Sequence, residues 1–137
     1  MTDSVKNKGV VFTPKHITET MVDFIGSDKN LKIFEPCCGK GVFLETLSEK
    51  GYKNLYANDI SSAFIDECKD LFSDVVYTNE DFIDLQCKNT YDVIIGNPPY
   101  VKIQNLDSGD IFKIKNEYGI TGNIDLYLYF ILQKTQV

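Results

Sequence analysis

The residues Asn97-Pro98-Pro99-Tyr100 directly follow the run Tyr91-Asp92-Val93-Ile94-Ile95-Gly96, so a side-chain amide and a rigid turn stand just beyond a segment that reads as a buried strand. Consecutive prolines fix φ and remove backbone donors. What remains at the turn is a pair of acceptors, the Asn97 side-chain oxygen and the Pro98 carbonyl. Such a pair can hold both hydrogens of a planar NH2 group, draw its lone pair out of conjugation and aim it at an electrophile. Tyr100 is then placed to stack on the ring that bears the amine. Taken by itself, the tetrapeptide is also an ordinary strand-ending turn, because Asn and Pro both favour turns.

A second group of residues, lying upstream, is acidic. Glu35 ends a strand candidate and leads into Pro36-Cys37-Cys38-Gly39-Lys40-Gly41, a glycine-punctuated turn of the kind that lets backbone approach a ligand at a helix N-terminus. The pattern is not G-x-G-x-x-G, and a carboxylate at that strand end suits a cationic ligand better than a pyrophosphate. Asp59 stands about twenty residues further on, where a carboxylate receives ribose hydroxyls in dinucleotide-type folds. A helix-capping role is its plainer alternative. Asp81, in Asn79-Glu80-Asp81-Phe82, follows a third strand candidate and alone reads as a turn residue.

The elements that must position these groups follow from hydrophobic periodicity. A first helix is predicted over His16–Ile25, with Pro14 near its first turn and Thr13 as its cap. Leu31–Glu35 reads as a strand, Val42 to about Lys50 as a helix stopped by Gly51, and Leu55–Asn58 as a second strand. A helix over Ser62–Phe72 is capped by Ser61 or Ser62 and carries Phe64, Ile65, Cys68, Leu71 and Phe72 on its apolar face. Strands over Asp74–Thr78 and Tyr91–Gly96 flank a short irregular or helical piece around Asp84–Gln86. This βαβα alternation predicts a parallel α/β sheet with helices on both faces and right-handed crossovers. Val101–Gly122 is polar and aperiodic and reads as a long loop with room for a short helix; Asn123 then opens an apolar helix through Leu132.

With 137 residues and 43% hydrophobic content, one core and one domain are expected. No stretch approaches a membrane span and the N-terminus lacks a secretory signal, so no membrane association and a cytoplasmic location are expected. Cys37, Cys38, Cys68 and Cys87 form no Cys-x-x-Cys pair and the chain has a single histidine, His16, so reduced thiols are expected and no metal site. The net charge of −6 counts against a free-standing DNA-binding surface. Lys102, Lys113 and Lys115 are read equally as phosphate contacts or as ordinary solvated lysines.

Taken together, the motifs resemble those of the N6-adenine DNA methyltransferases that use S-adenosylmethionine. Their signature at the fourth strand is (D/N/S)-P-P-(Y/F). Glu35-Pro36-Cys37-Cys38-Gly39-Lys40-Gly41-Val42-Phe43-Leu44 is similar to motif I, Asn58-Asp59-Ile60 to motif II and Asn79–Phe82 to motif III. Gly9–Pro14 is similar to motif X and the segment from Asn123 to motif V. The motif order is that of the gamma subgroup, and the likeness is strongest to the methyltransferase part of fused type II restriction-modification enzymes.

The resemblance implies a Rossmann-like methyltransferase fold and S-adenosylmethionine as cofactor. Val11, Thr13, Glu35, Cys37, Gly39 and Gly41 would serve its methionine side, Asp59 the ribose, and Ile60, Asp81 and Phe82 the adenine, with Asn97 where the cofactor meets the acceptor. Asn97, Pro98, Pro99 and Tyr100 would hold the target adenine, and no metal is implied. It further implies a partial catalytic domain without the later strands or a target-recognition domain. DNA would then be engaged only with those parts or a partner chain, and the open sheet edge would favour self-association. Two alternatives stay open: a non-catalytic cofactor-binding remnant or subunit, and N-methylation of a protein glutamine or an RNA base.

Overall fold

The computed structural model describes residues 12–82, 84, 85, 91–99 and 107–118. They fall into two compact units, Phe12–Asn97 and a second made of Met1–Val11 with Pro98–Val137.

The first unit runs α1 (Lys15–Asp23), β1 (Lys32–Glu35), α2 (Val42–Glu49), β2 (Asn54–Asn58), α3 (Ser62–Leu71), β3 (Val76–Thr78) and β4 (Val93–Ile94). The strands form one parallel sheet in the order β3-β2-β1-β4. Chain order therefore reverses between β1 and β4, which puts a crevice beyond the carboxyl ends of those two strands.

Register decides the faces. Ile33 pairs with Leu55 and Val93, and Ala57 with Tyr77, so these side chains share one face. That face meets Val22 of α1, Leu44 and Leu47 of α2, and Ile65 and Cys68 of α3 in one buried cluster. The opposite face carries Phe34, Tyr56, Val76 and Ile94, and Tyr91 stacks on Phe34 with ring centroids 4.6 Å apart.

Local signals explain most boundaries. Beyond α2, the Gly51 amide (φ 85°) bonds Ser48 O and the Tyr52 amide bonds Leu47 O, the paired closure that a left-handed glycine permits. At α3 the Ser61 hydroxyl accepts from the Phe64 amide, so Ser61 is the cap. At α1 the cap is Pro14, not Thr13: Pro14 O accepts from the amides of Ile17 and Thr18, while the Thr13 hydroxyl is taken by a tertiary partner described below. The fourth strand is shorter than Tyr91–Gly96, yet its flanks still bond β1, Asp92 N to Lys32 O and Ile95 N to Phe34 O. Around Asp81 the chain makes one turn, with Asp81 O accepting from Asp84 N and Leu85 N; Gln86 lies outside the described residues.

In the second unit, α4 (Ser108–Tyr118) is an 11-residue helix within Val101–Gly122, the segment read from sequence as a long loop with room for a short helix. Exposed Phe112 and Lys113 lie beside half-buried Ile111 and Lys115, so no clean apolar stripe announces it. Lys102 and the expected helix from Asn123 lie outside the described residues.

Helices α1 and α2 are joined by a polar contact inside the core. Thr18 and Thr46 are both fully buried and their hydroxyl oxygens lie 2.8 Å apart. Thr18→Val should cost about 1 kcal/mol in chemical denaturation, because the buried Thr46 hydroxyl loses one of its two partners and keeps only Val42 O at 3.1 Å. Adding Thr46→Val should restore most of that loss, since no buried hydroxyl is then left short of a partner.

Candidate functional site

The carboxyl ends of the four strands bring together Glu35, the turn through Cys37, Gly39 and Gly41, Asp59 with Ile60, Asp81 with Phe82, and Asn97. Val11 and Tyr100 lie outside the described residues, and Pro98 and Pro99 belong to the second unit.

Two strand-end residues tie the loops to each other. Asn58, 1% exposed, donates through Nδ2 to Pro36 O (3.1 Å) and Glu80 O (2.9 Å), and accepts at Oδ1 from Thr78 Oγ1 (2.7 Å) and Glu80 N (3.1 Å). One amide thereby fixes the chain after β1 and after β3 to the end of β2. Asp59 accepts from Gly39 N at 2.8 Å and from Ser61 N at 2.9 Å, one bond to each carboxylate oxygen. A carboxylate has about four lone-pair sites, so Asp59 keeps capacity for further donors. Asn79 adds bonds from Nδ2 to the carbonyls of Asp59 and Ile60. Neither the Asn58 network nor the Asn79 clamp was read from sequence; the available signal was an amide ending an otherwise apolar strand.

The glycines have separate reasons. Gly39 has φ 51°, which an L side chain rarely adopts. Gly41, with φ 78°, packs on α3: a Cβ there would lie 2.9 Å from a Phe72 ring carbon and 3.0 Å from the Cys68 sulfur. Phe12, half-exposed, sits against the turn, its ring 3.7 Å from where a Gly39 Cβ would be and edge-on to Phe64.

Glu35 is the outlier of the site. It is 2% exposed, and its Oε2 has no hydrogen-bond partner among the described residues. Burial, then the neighbouring Cys68 and Asp59, push its carboxyl well above the usual glutamate range. Cys38 nearby is pushed up by its contact with Cys68, by burial and by Glu35. An unpaired buried carboxyl oxygen is costly to keep, and a cation brought to it would relieve that cost. Ile60, 57% exposed, is an apolar surface directly after Asp59. Phe82 is buried, Asp81 half-buried and Cys37 half-buried.

Across the reversal point, Gly96 brings β4 close to β1: a Cβ there would meet Glu35 Cγ and Pro36 Cδ at 3.7 Å. The next residue, Asn97, donates from Nδ2 to Thr13 Oγ1 at 3.1 Å. That bond explains why Thr13 does not cap α1, and it turns Asn97 Oδ1 away from Thr13 as the group's acceptor. Among the described residues, no cluster of three or more His, Cys, Asp or Glu could hold a metal, and no helix is long and apolar enough to cross a membrane.

Two outcomes follow for the protein alone. Asn58→Ala removes four hydrogen bonds and orphans buried partners, so it should cost about 3 kcal/mol or more in chemical denaturation. For Glu35, the folded-state value is raised, so its contribution is fully present below the ordinary glutamate value of 4.5 and is lost as pH rises through the raised one. The melting temperature of wild type relative to Glu35→Gln should therefore fall as pH rises from about 4.5 to the raised value; a constant difference across that window would show that Glu35 is not held neutral.

The chain is similar to several known methyltransferases. A family model described as N-6 DNA Methylase matches residues 1–65, and one described as Eco57I restriction-modification methylase matches residues 46–137. The type II methyltransferase M.HincII of Haemophilus influenzae is 42% identical over 98 residues, 72% of this chain and 18% of that protein. M.AccI of Acinetobacter calcoaceticus is 33% identical over 130 residues, 89% of this chain and 24% of that protein. The chain thus spans about a fifth to a quarter of the length of these relatives. Among solved structures, a modification subunit of a putative type I restriction enzyme from Vibrio vulnificus superposes with TM-score 0.69 at 16% identity, over 92% of this chain and 30% of that one. A putative class I S-adenosylmethionine-dependent methyltransferase from Listeria monocytogenes gives 0.64 at 20%, over 95% and 45%. The fold is the Rossmann-like fold of S-adenosylmethionine-dependent methyltransferases. On the match that covers residues 46–137, the chain belongs to the Eco57I restriction-modification methylase family.

Proposed function

We propose that this chain is the cofactor-binding and amine-orienting part of a DNA methyltransferase that transfers a methyl group from S-adenosylmethionine to N6 of adenine. The observation that carries this reading is the juxtaposition of Glu35 and Asn97 across the β1–β4 reversal, with Gly96 packed against Glu35 between them. One residue suits a cation and the other suits an amine, on adjacent strand ends. The family match, and the type II methyltransferases among the relatives, support DNA as the target.

The residues fit the cofactor. Glu35 Oε2 is an orphaned buried acceptor suited to an ammonium, Asp59 retains lone pairs for ribose hydroxyls, and Ile60 offers an apolar face for a ring. When bound, the cofactor supplies a methyl group on a sulfonium, a strong leaving group. The protein's own task is then orientation, which can supply much of a rate acceleration without acid or base. In this reading Asn97 Oδ1 and the Pro98 carbonyl receive the adenine NH2 and Tyr100 stacks on the base, while Asn97 Nδ2 donates to Thr13 Oγ1. Lengthening the amine's own N–H bonds concentrates its lone pair towards the methyl.

Base flipping costs a few kcal/mol and is normally offset by groove and phosphate contacts. A chain of net charge −6 has little to offer there, so we assign duplex recognition to protein outside this part or to a partner, with the β4 edge as the place where further strands or a second copy would pair.

With labelled S-adenosylmethionine, label is expected on N6-methyladenine in single-stranded adenine-containing DNA and far less in duplex. Asn97→Ala should bind cofactor nearly as wild type and transfer nothing. Ile60→Ala should weaken cofactor binding by about 1 kcal/mol, roughly fivefold, with an unchanged melting temperature because the side chain is exposed. Label appearing on cytosine or on protein, and not on adenine, would overturn the assignment.

A further inference from the structure

Glu35 sits where an acid is expensive. It is 2% exposed, and its Oε2 has no hydrogen-bond partner among the described residues. Among the described residues, the titratable groups that face it are Cys38 in the turn after β1, Asp59 after β2, Cys68 of α3 and Tyr77 of β3. None of these side chains can carry a positive charge. From β4 the nearest contact is Gly96, which brings no charge. A carboxylate in such surroundings has lost water and gained only repulsion.

We infer that Glu35 is a proton-exchanging, specificity-determining receptor: it holds a proton while alone and releases it when a ligand's ammonium group arrives, so the site selects positive charge by trading one cation for another. The inference rests on the cofactor reading above and deepens it. A permanently ionised receptor would attract a cation over a wide pH range; an exchanging one makes the proton a competitor. The raised carboxyl of the protein alone supports the same direction. Charge balances at the receptor, since the ligand's ammonium brings one positive charge to Glu35 and the proton carries one away to the solvent.

Two nucleosides separate the possibilities. S-adenosylhomocysteine carries the ammonium without the sulfonium, and 5′-methylthioadenosine lacks the amino-acid part altogether. Titration calorimetry of the whole chain in buffers of different ionisation enthalpy counts protons directly. Wild type is expected to release about one proton per S-adenosylhomocysteine across the pH range in which Glu35 is protonated when alone, and its affinity should rise about tenfold per pH unit there. Binding of 5′-methylthioadenosine should release none and show no such slope. Glu35→Gln, which buries a neutral group of the same shape, should abolish the proton release and much of the preference for S-adenosylhomocysteine. Binding of S-adenosylhomocysteine without proton release at any pH, or equal release by Glu35→Gln, would overturn this inference and leave the cofactor reading standing. No binding of either nucleoside would overturn the cofactor reading and this inference with it.

Discussion

One buried amide holds the working end of this fold together. A parallel sheet fixes its strands through backbone ladders, but the loops beyond the strands have no ladder. Here Asn58 supplies the missing bonds, using both amide hydrogens and both lone pairs on Pro36 O, Glu80 O, Thr78 Oγ1 and Glu80 N. A fully satisfied polar group in a core rigidifies, whereas a partly satisfied one costs free energy. Asp59 continues the same function one residue later by binding Gly39 N and Ser61 N. The turn after β1, the start of α3 and the segment after β3 therefore hang on two consecutive side chains. A carboxylate proposed for ribose binding is thus also a structural strut, and removing it would disturb more than one loop.

The same end of the sheet contains the fold's least comfortable group. Glu35 faces the α-helical side with Ile33 and shares its surroundings with Cys38 and Cys68, where a hydrophobic residue would be easier to bury. Nothing in the core requires an acid there. Local destabilisation of this kind is characteristic of sites that await an opposite charge. Gly41 and Gly96 show how tightly the site is framed: one lets the turn press on α3, the other lets β4 press on Glu35 and Pro36.

Much of this was legible from the chain. The βαβα alternation, the parallel sheet, the glycine stop at Gly51 and the placement of Glu35, Asp59, Asp81 and Asn97 at strand ends all follow from local pattern. What was not legible depended on residues distant in sequence. Thr13 looked like a helix cap because caps are local, but Asn97, 84 positions away, claims its hydroxyl. Asn58 looked like a strand residue because its partners at Pro36 and Glu80 each lie 22 positions off. In Val101–Gly122 the sequence leaves room for a short helix without placing it, because the exposed and half-buried residues of α4 do not sort by polarity: Phe112 is 68% exposed and Lys115 is half-buried.

The bond between Thr13 and Asn97 also bears on how the two halves of the chemistry are kept in step. Thr13 lies just before α1 and its Pro14 cap, and Asn97 lies beyond β4 at the end of the sheet unit, so the hydrogen bond spans nearly the whole unit in sequence. An Asn amide is nearly symmetric in shape, and a flip would present hydrogens where the amine's own hydrogens must be received. A hydroxyl at Thr13 does not by itself choose between the two orientations, because it can donate or accept. In the proposed reading, an arriving NH2 group that needs the oxygen would make the choice, with Asn97 Nδ2 on Thr13 Oγ1 as the structure has it. On the proposed function, an incoming amine and the segment before α1 would thereby be coupled through one side chain, while Glu35, one strand away, would respond to the charge of the other ligand.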